Sequence, residues 1–132
     1  MRTFVLDTCA VLPAVFKVRN LTRLGRAIID MAQDYQAELV VPTMALLEAE
    51  NDIRHRQKQI KRSFADFLQV LMEADYVRIE PMSIEQVMLL PDLLSLPELH
   101  DRIIVAHALT NDAPLITSDL VIRDSGLVEC VW

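Results

Sequence analysis

Four acidic residues are distinguished by the apolar stretches around them. Asp7 closes the run Phe4-Val5-Leu6, and Asp119 follows Leu115-Ile116-Thr117-Ser118, so each is expected at the carboxyl end of a buried strand. In an open parallel sheet those ends line the ligand crevice. Asp101, in His100-Asp101-Arg102-Ile103-Ile104-Val105-Ala106-His107-Ala108, shares a helical face with Ile104, Val105 and Ala108 and is expected to turn inward. Glu48 lies in Pro42-Thr43-Met44-Ala45-Leu46-Leu47-Glu48-Ala49-Glu50, a helix apolar over its first two turns, where Glu50 or Asp52 would serve equally. Each residue has an ordinary alternative. Aspartate caps helices and gains from the dipole at their N-termini, and glutamate is a common solvated helix former.

Together the four have a stronger consequence. Carboxylates gathered a few ångströms apart cannot all stay ionised without a counterion. A divalent cation supplies one, and an all-oxygen ligand set favours Mg²⁺ or Mn²⁺ over zinc. Such an ion binds a phosphate oxygen, lowers the pKa of water and stabilises a leaving oxygen, which are the tasks of phosphodiester hydrolysis. Other chemistries are poorly supplied. The two glycines, Gly25 and Gly126, stand apart, so no glycine-rich phosphate loop exists. Cys9 and Cys130 lack zinc-like spacing, and both are read as reduced, which implies the cytoplasm. None of the three histidines has a neighbouring serine or cysteine in a context that suggests activation; His100 reads as a helix-start residue and His107 as a packed helix histidine.

The net charge of −6 opposes loose binding to nucleic acid, so any such contact must be local. Arg54, Lys58, Lys61 and Arg62 follow helical spacing and form the best cationic stripe for RNA phosphates, the alternative being a solvated helix face.

Positioning these residues requires a sheet. Strands are expected at Thr3–Leu6, Glu38–Val41, Tyr76–Glu80, Pro114–Thr117 and Leu127–Val131, with Met1–Phe16 as a whole reading as strand and turn. Helical spacing occupies Leu21–Gln36, Thr43–His55, Ile60–Glu73, Ile84–Leu90 and His100–Thr110. The alternation predicts an α/β fold, a three-layer α/β/α sandwich with a mostly parallel central sheet of four to five strands, because parallel neighbours need crossovers that helices supply. One domain over residues 1–132 is expected. Pro91 and Pro97 read as a fixed turn that aims the next helix.

With these blocks in hand, the sequence resembles the PIN-domain nucleases, in particular the small VapC-like toxin ribonucleases of toxin–antitoxin pairs. The resemblance runs end to end. It rests on Leu6-Asp7-Thr8-Cys9, on Glu48, on Leu99-His100-Asp101-Arg102-Ile103-Ile104-Val105-Ala106 and on Pro114-Leu115-Ile116-Thr117-Ser118-Asp119. It implies that Asp7, Glu48, Asp101 and Asp119 coordinate Mg²⁺ or Mn²⁺ for RNA cleavage, that Thr8 and Ser118 orient carboxylates or water, and that Asp124 stands in reserve. Cys9 departs from the asparagine or serine common there, and a thiol is a weak donor. The resemblance also implies a homodimer and an antitoxin partner, whose basic side chain would enter the acidic pocket while an apolar helix lies along Leu89, Leu90, Leu93, Leu94 and Leu96, leucines whose other and commoner reading is core. The alternative function is a catalytically inactive PIN-like interaction module acting through dimerisation or a partner protein.

Overall fold

The computed structural model describes residues 1–16 and 21–132. Five strands form one sheet: β1 (Arg2–Leu6), β2 (Ala37–Pro42), β3 (Val77–Glu80), β4 (Leu115–Ile116) and β5 (Cys130–Val131). Their order is β3-β2-β1-β4-β5 and every pairing is parallel. In β2, Leu39, Val40 and Val41 are successive residues with no more than 1% exposure, so both faces of this strand are covered. The covering helices are α1 (Thr8–Val15), α2 (Arg23–Gln33), α3 (Thr43–His55), α4 (Gln57–Ile60), α5 (Phe64–Glu73), α6 (Ile84–Leu89), α7 (Leu99–Thr110) and α8 (Leu120–Ser125), with a 3-10 turn at Leu90–Leu93.

The chain moves outward from β1 to β2 and β3, then returns through α6 and α7 to place β4 on the other side of β1. The strand order therefore reverses between β1 and β4, and a crevice opens at their carboxyl ends. Asp7 and Asp119 follow those two strands. The register is held by backbone bonds from Val5 N–H to Pro114 O (2.9 Å) and from Asp7 N–H to Ile116 O (3.0 Å).

Three local expectations need correction. Residues after β1 form a helix, α1, despite Pro13 inside it; buried Ala10, Val11 and Leu12 anchor that helix, and the single ladder bond lost at proline does not break it. The stretch Ile60–Glu73 is two helices: Lys61 adopts a left-handed conformation (φ 55°) that stops α4, and Ser63 caps α5 by accepting from Asp66 N–H at 3.1 Å. The stripe Arg54, Lys58, Lys61 and Arg62 consequently has no continuous helix to lie on. Arg54 is engaged by Glu50 (3.1 Å) and Asn51 (3.1 Å). Of the leucines read either as core or as partner contacts, Leu93 and Leu96 are core residues, Leu89 and Leu90 are half-buried, and only Leu94 is exposed.

Candidate functional site

Each of the four acids is carried by a different element at the crevice. Asp7 bridges β1 and α1. It caps α1 from an extended conformation, so its carboxylate folds back over the helix start, where Oδ1 accepts from Thr8 N–H at 2.7 Å. Its Oδ2 accepts from the Thr117 hydroxyl at 2.7 Å. That hydroxyl in turn accepts from Asp119 N–H at 3.0 Å, so one buried threonine ties the ends of β1 and β4 together. Asp119 caps α8, with Oδ1 accepting from Val121 N–H (2.9 Å) and Ile122 N–H (3.3 Å). The capping reading and the crevice reading are thus compatible for both residues, since only part of each carboxylate is spent on its helix.

Asp101 lies in the first turn of α7 and is 4% exposed. Its Oδ1 is buried with no hydrogen-bond partner among the described residues. His100 Nε2 lies 3.4 Å from it without forming a hydrogen bond, while the same nitrogen sits 3.0 Å from Glu48 Oε1. Sequence reasoning gave His100 no role, because nothing in the chain order shows that α3 and α7 meet; the structure sets its ring between two of the acids.

The electrostatics follow from this placement. Burial pushes the Asp7 carboxyl above its ordinary value, partly offset by Thr117 and Thr8, with the Asp119 charge adding to the rise. Burial also raises Asp101, reinforced by Asp119 and Asp7, and raises Glu48, reinforced by Asp7, Asp52 and Asp101. Asp7, Glu48 and Asp101 therefore each feel acidic neighbours in the cluster, and His100 lowers the cost of ionising all three. They are nevertheless not closed into a cage: among the described residues no three carboxylate, histidine or cysteine side chains form a ready ligand set. The all-oxygen donors, the unpartnered Asp101 oxygen and the excess of buried negative charge fit a hard divalent cation that keeps part of its water shell.

The other nominated residues spread out. Thr8 supplies its backbone N–H to Asp7, while its buried hydroxyl lacks a partner among the described residues. Ser118 donates its N–H to Cys9 Sγ at 3.5 Å; the hydroxyl that bonds the Asp7 carboxylate belongs to Thr117. Burial, and then the Asp7 charge, push the Cys9 thiol up, so it remains protonated. Asp124 is exposed near the end of α8 and joins none of these contacts. Of the alternatives to Glu48, Glu50 is paired with Arg54, whereas Asp52 lies one turn along from Glu48 toward an adjoining cavity.

The PIN domain family model matches residues 4–125. No curated protein matches the sequence. Among solved structures, the chain is similar to VapBC2 from Rickettsia felis, seen bound to a DNA fragment from its promoter, at 14% identity and a TM-score of 0.72, covering 98% of this chain and 97% of that one. A toxin–antitoxin complex from Klebsiella pneumoniae follows at 16% identity and 0.63, covering 97% and 95%. A domain of a functionally unknown protein from Methanocaldococcus jannaschii matches at 15% identity and 0.55, covering 100% and 91%. At such identities the likeness is one of fold.

Proposed function

Since this chain belongs to the PIN domain family, we propose that it is a metal-dependent endoribonuclease that holds Mg²⁺ or Mn²⁺ with Asp7, Glu48, Asp101 and Asp119 and serves as the toxin of a toxin–antitoxin pair. The observation that carries this reading is the buried Asp101 oxygen with no hydrogen-bond partner among the described residues, beside a second buried carboxylate at the switch point of a parallel sheet. A buried carboxylate oxygen without a hydrogen bond is costly, and a fold retains such a cost where it serves a ligand.

When bound, the cation supplies Lewis-acid activation of water and offsets charge on phosphate. The chain's own residues do the positioning. Thr8 N–H and Thr117 Oγ1 fix both oxygens of Asp7, Asp119 is held by the start of α8, and α7 presents Asp101 on a rigid, buried turn. His100 offsets Glu48 and Asp101 in the absence of a cation and must yield that position for both to turn to one. An antitoxin partner, supported by the toxin–antitoxin complexes among the structural neighbours, is part of the same proposal, as is a homodimer.

Purified protein given single-stranded and structured RNA with Mn²⁺ should cut it, and Asp7→Asn and Asp101→Asn should each lower the rate by about a hundredfold or more. Equal cleavage by all three proteins contradicts the proposal. A wild-type protein that cuts nothing with either ion is instead the inactive interaction module. Co-expression with the neighbouring reading frame should bring down a small partner.

A further inference from the structure

Beside the acids lies a cavity of about 370 Å³ that the proposed chemistry does not use. Thr8, Cys9 and Ser118 form the wall it shares with the acid cluster, and Phe16, Arg56 and Trp132 line it further out. Its volume lies within the range of small-ligand sites. Along α3 and its cap, Glu48, Asp52 and Arg56 are spaced four residues apart and so fall on one face, running from the acids to a guanidinium. Arg56 and Arg54 are both exposed, but Arg54 is engaged by Glu50 and Asn51. Arg62, outside the lining itself, lies over the ring of Phe16, 5.4 Å from its centroid.

Trp132 is placed here by the sheet. It follows β5, whose Val131 carbonyl accepts from Thr117 N–H at 2.9 Å, and its own carbonyl accepts from the Thr22 hydroxyl. The main chain at Trp132 is therefore held from two sides at the same carboxyl edge that bears Asp7 and Asp119. A cavity offering an aromatic surface and a guanidinium, opening onto a centre for phosphodiester hydrolysis, has the two features that single-stranded nucleic acid requires: a stacking platform and a phosphate contact.

From this geometry we infer that the cavity binds one nucleotide of single-stranded RNA adjoining the scissile phosphate, its base against Trp132 and its phosphate at Arg56. The inference rests on the nuclease reading for the direction of the strand but concerns binding alone. It also accounts for how a chain of net charge −6 engages RNA, through local contacts at one rim.

Trp132 is the sole tryptophan, so its emission reports the cavity directly. A short fluorescein-labelled single-stranded RNA is titrated in EDTA, where it is not cut, following both anisotropy and tryptophan emission. RNA should quench the wild-type emission. Trp132→Leu should weaken binding about tenfold with an unchanged salt slope, and Trp132→Phe should restore most of the loss. Arg56→Gln should reduce the slope of log affinity against log salt by about 0.7. Wild-type affinity and slope in both Trp132→Leu and Arg56→Gln, or RNA binding without quenching, overturn the assignment. So does quenching by an arginine-bearing peptide and not by RNA, which makes the cavity a partner-protein site. A protein that cuts RNA while these variants bind normally loses only the cavity; one whose variants behave as expected but which never cuts loses only the nuclease reading.

Discussion

A buried carboxylate oxygen without a donor is expensive, and Asp101 keeps one among the described residues. Asp101→Asn should therefore raise the melting temperature in EDTA at neutral pH by a few degrees, and a lower melting temperature would show that the carboxylate is compensated. The pH dependence has a definite sign. Asp7, Asp101 and Glu48 are all raised above their ordinary values of 3.8, 3.8 and 4.5, so the folded chain binds protons more tightly than the unfolded one at these positions. Their stabilising contribution is complete below the ordinary values and is lost as pH rises through the raised ones. Thr117→Val should lower cation affinity or cleavage by about 10- to 100-fold, because its hydroxyl orients Asp7; Ser118→Ala should change either much less. The sequence exposed the two strand-end aspartates and Asp101 through their apolar neighbours. It did not expose Thr117, His100 or Arg56, whose roles arise from contacts between distant segments. Ser118 and Thr117 are chemically alike and adjacent in sequence, and only the pleat decides which hydroxyl points at Asp7.

Glu80 tests the same logic at the level of elements. It also ends a strand, β3, yet it lies at the far side of β2 from the switch point and is saturated with donors: His107 Nδ1 (2.6 Å), Gln86 Nε2 (2.7 Å), Asn111 Nδ2 (3.0 Å) and Arg78 Nη1 (2.6 Å). Burial pushes Glu80 up, but these donors outweigh it and hold the carboxyl below its ordinary value. A strand-end acid with every lone pair met is a clamp, here joining β3 to α6 and to α7, the helix that carries Asp101. Glu80→Ala should cost about 3 kcal/mol by stranding those donors, measured by urea unfolding, and a loss below about 0.5 kcal/mol would remove the clamp from the account. Its contribution runs opposite to that of the acid cluster: present above the ordinary value of 4.5 and lost as pH falls through the lowered one. Most strands and long helices were legible from periodicity. The helix α1 was not, because Pro13 and a short apolar run resemble a strand and turn, and the break at Lys61 was not, because a left-handed lysine has no signature in the sequence.

For the whole molecule, the all-parallel order and its reversal between β1 and β4 explain how residues more than a hundred positions apart reach one crevice. The alternation of strands and helices made that architecture readable, while the depth of the adjoining cavity depends on where α3, α1 and β5 come to rest. If the folded chain holds the cation and the unfolded chain does not, Mn²⁺ at about a hundred times its dissociation constant should add roughly 2.7 kcal/mol. That gain should shrink markedly in Asp7→Asn; an equal gain in both proteins means the ion binds elsewhere. The most direct measurement is anomalous diffraction at the manganese edge from crystals soaked in MnCl₂. A peak among Asp7, Glu48, Asp101 and Asp119, with His100 turned away from Glu48, is the expected result. Well-diffracting, manganese-soaked crystals with no anomalous density between these side chains would contradict the assignment of the four acids as a metal centre.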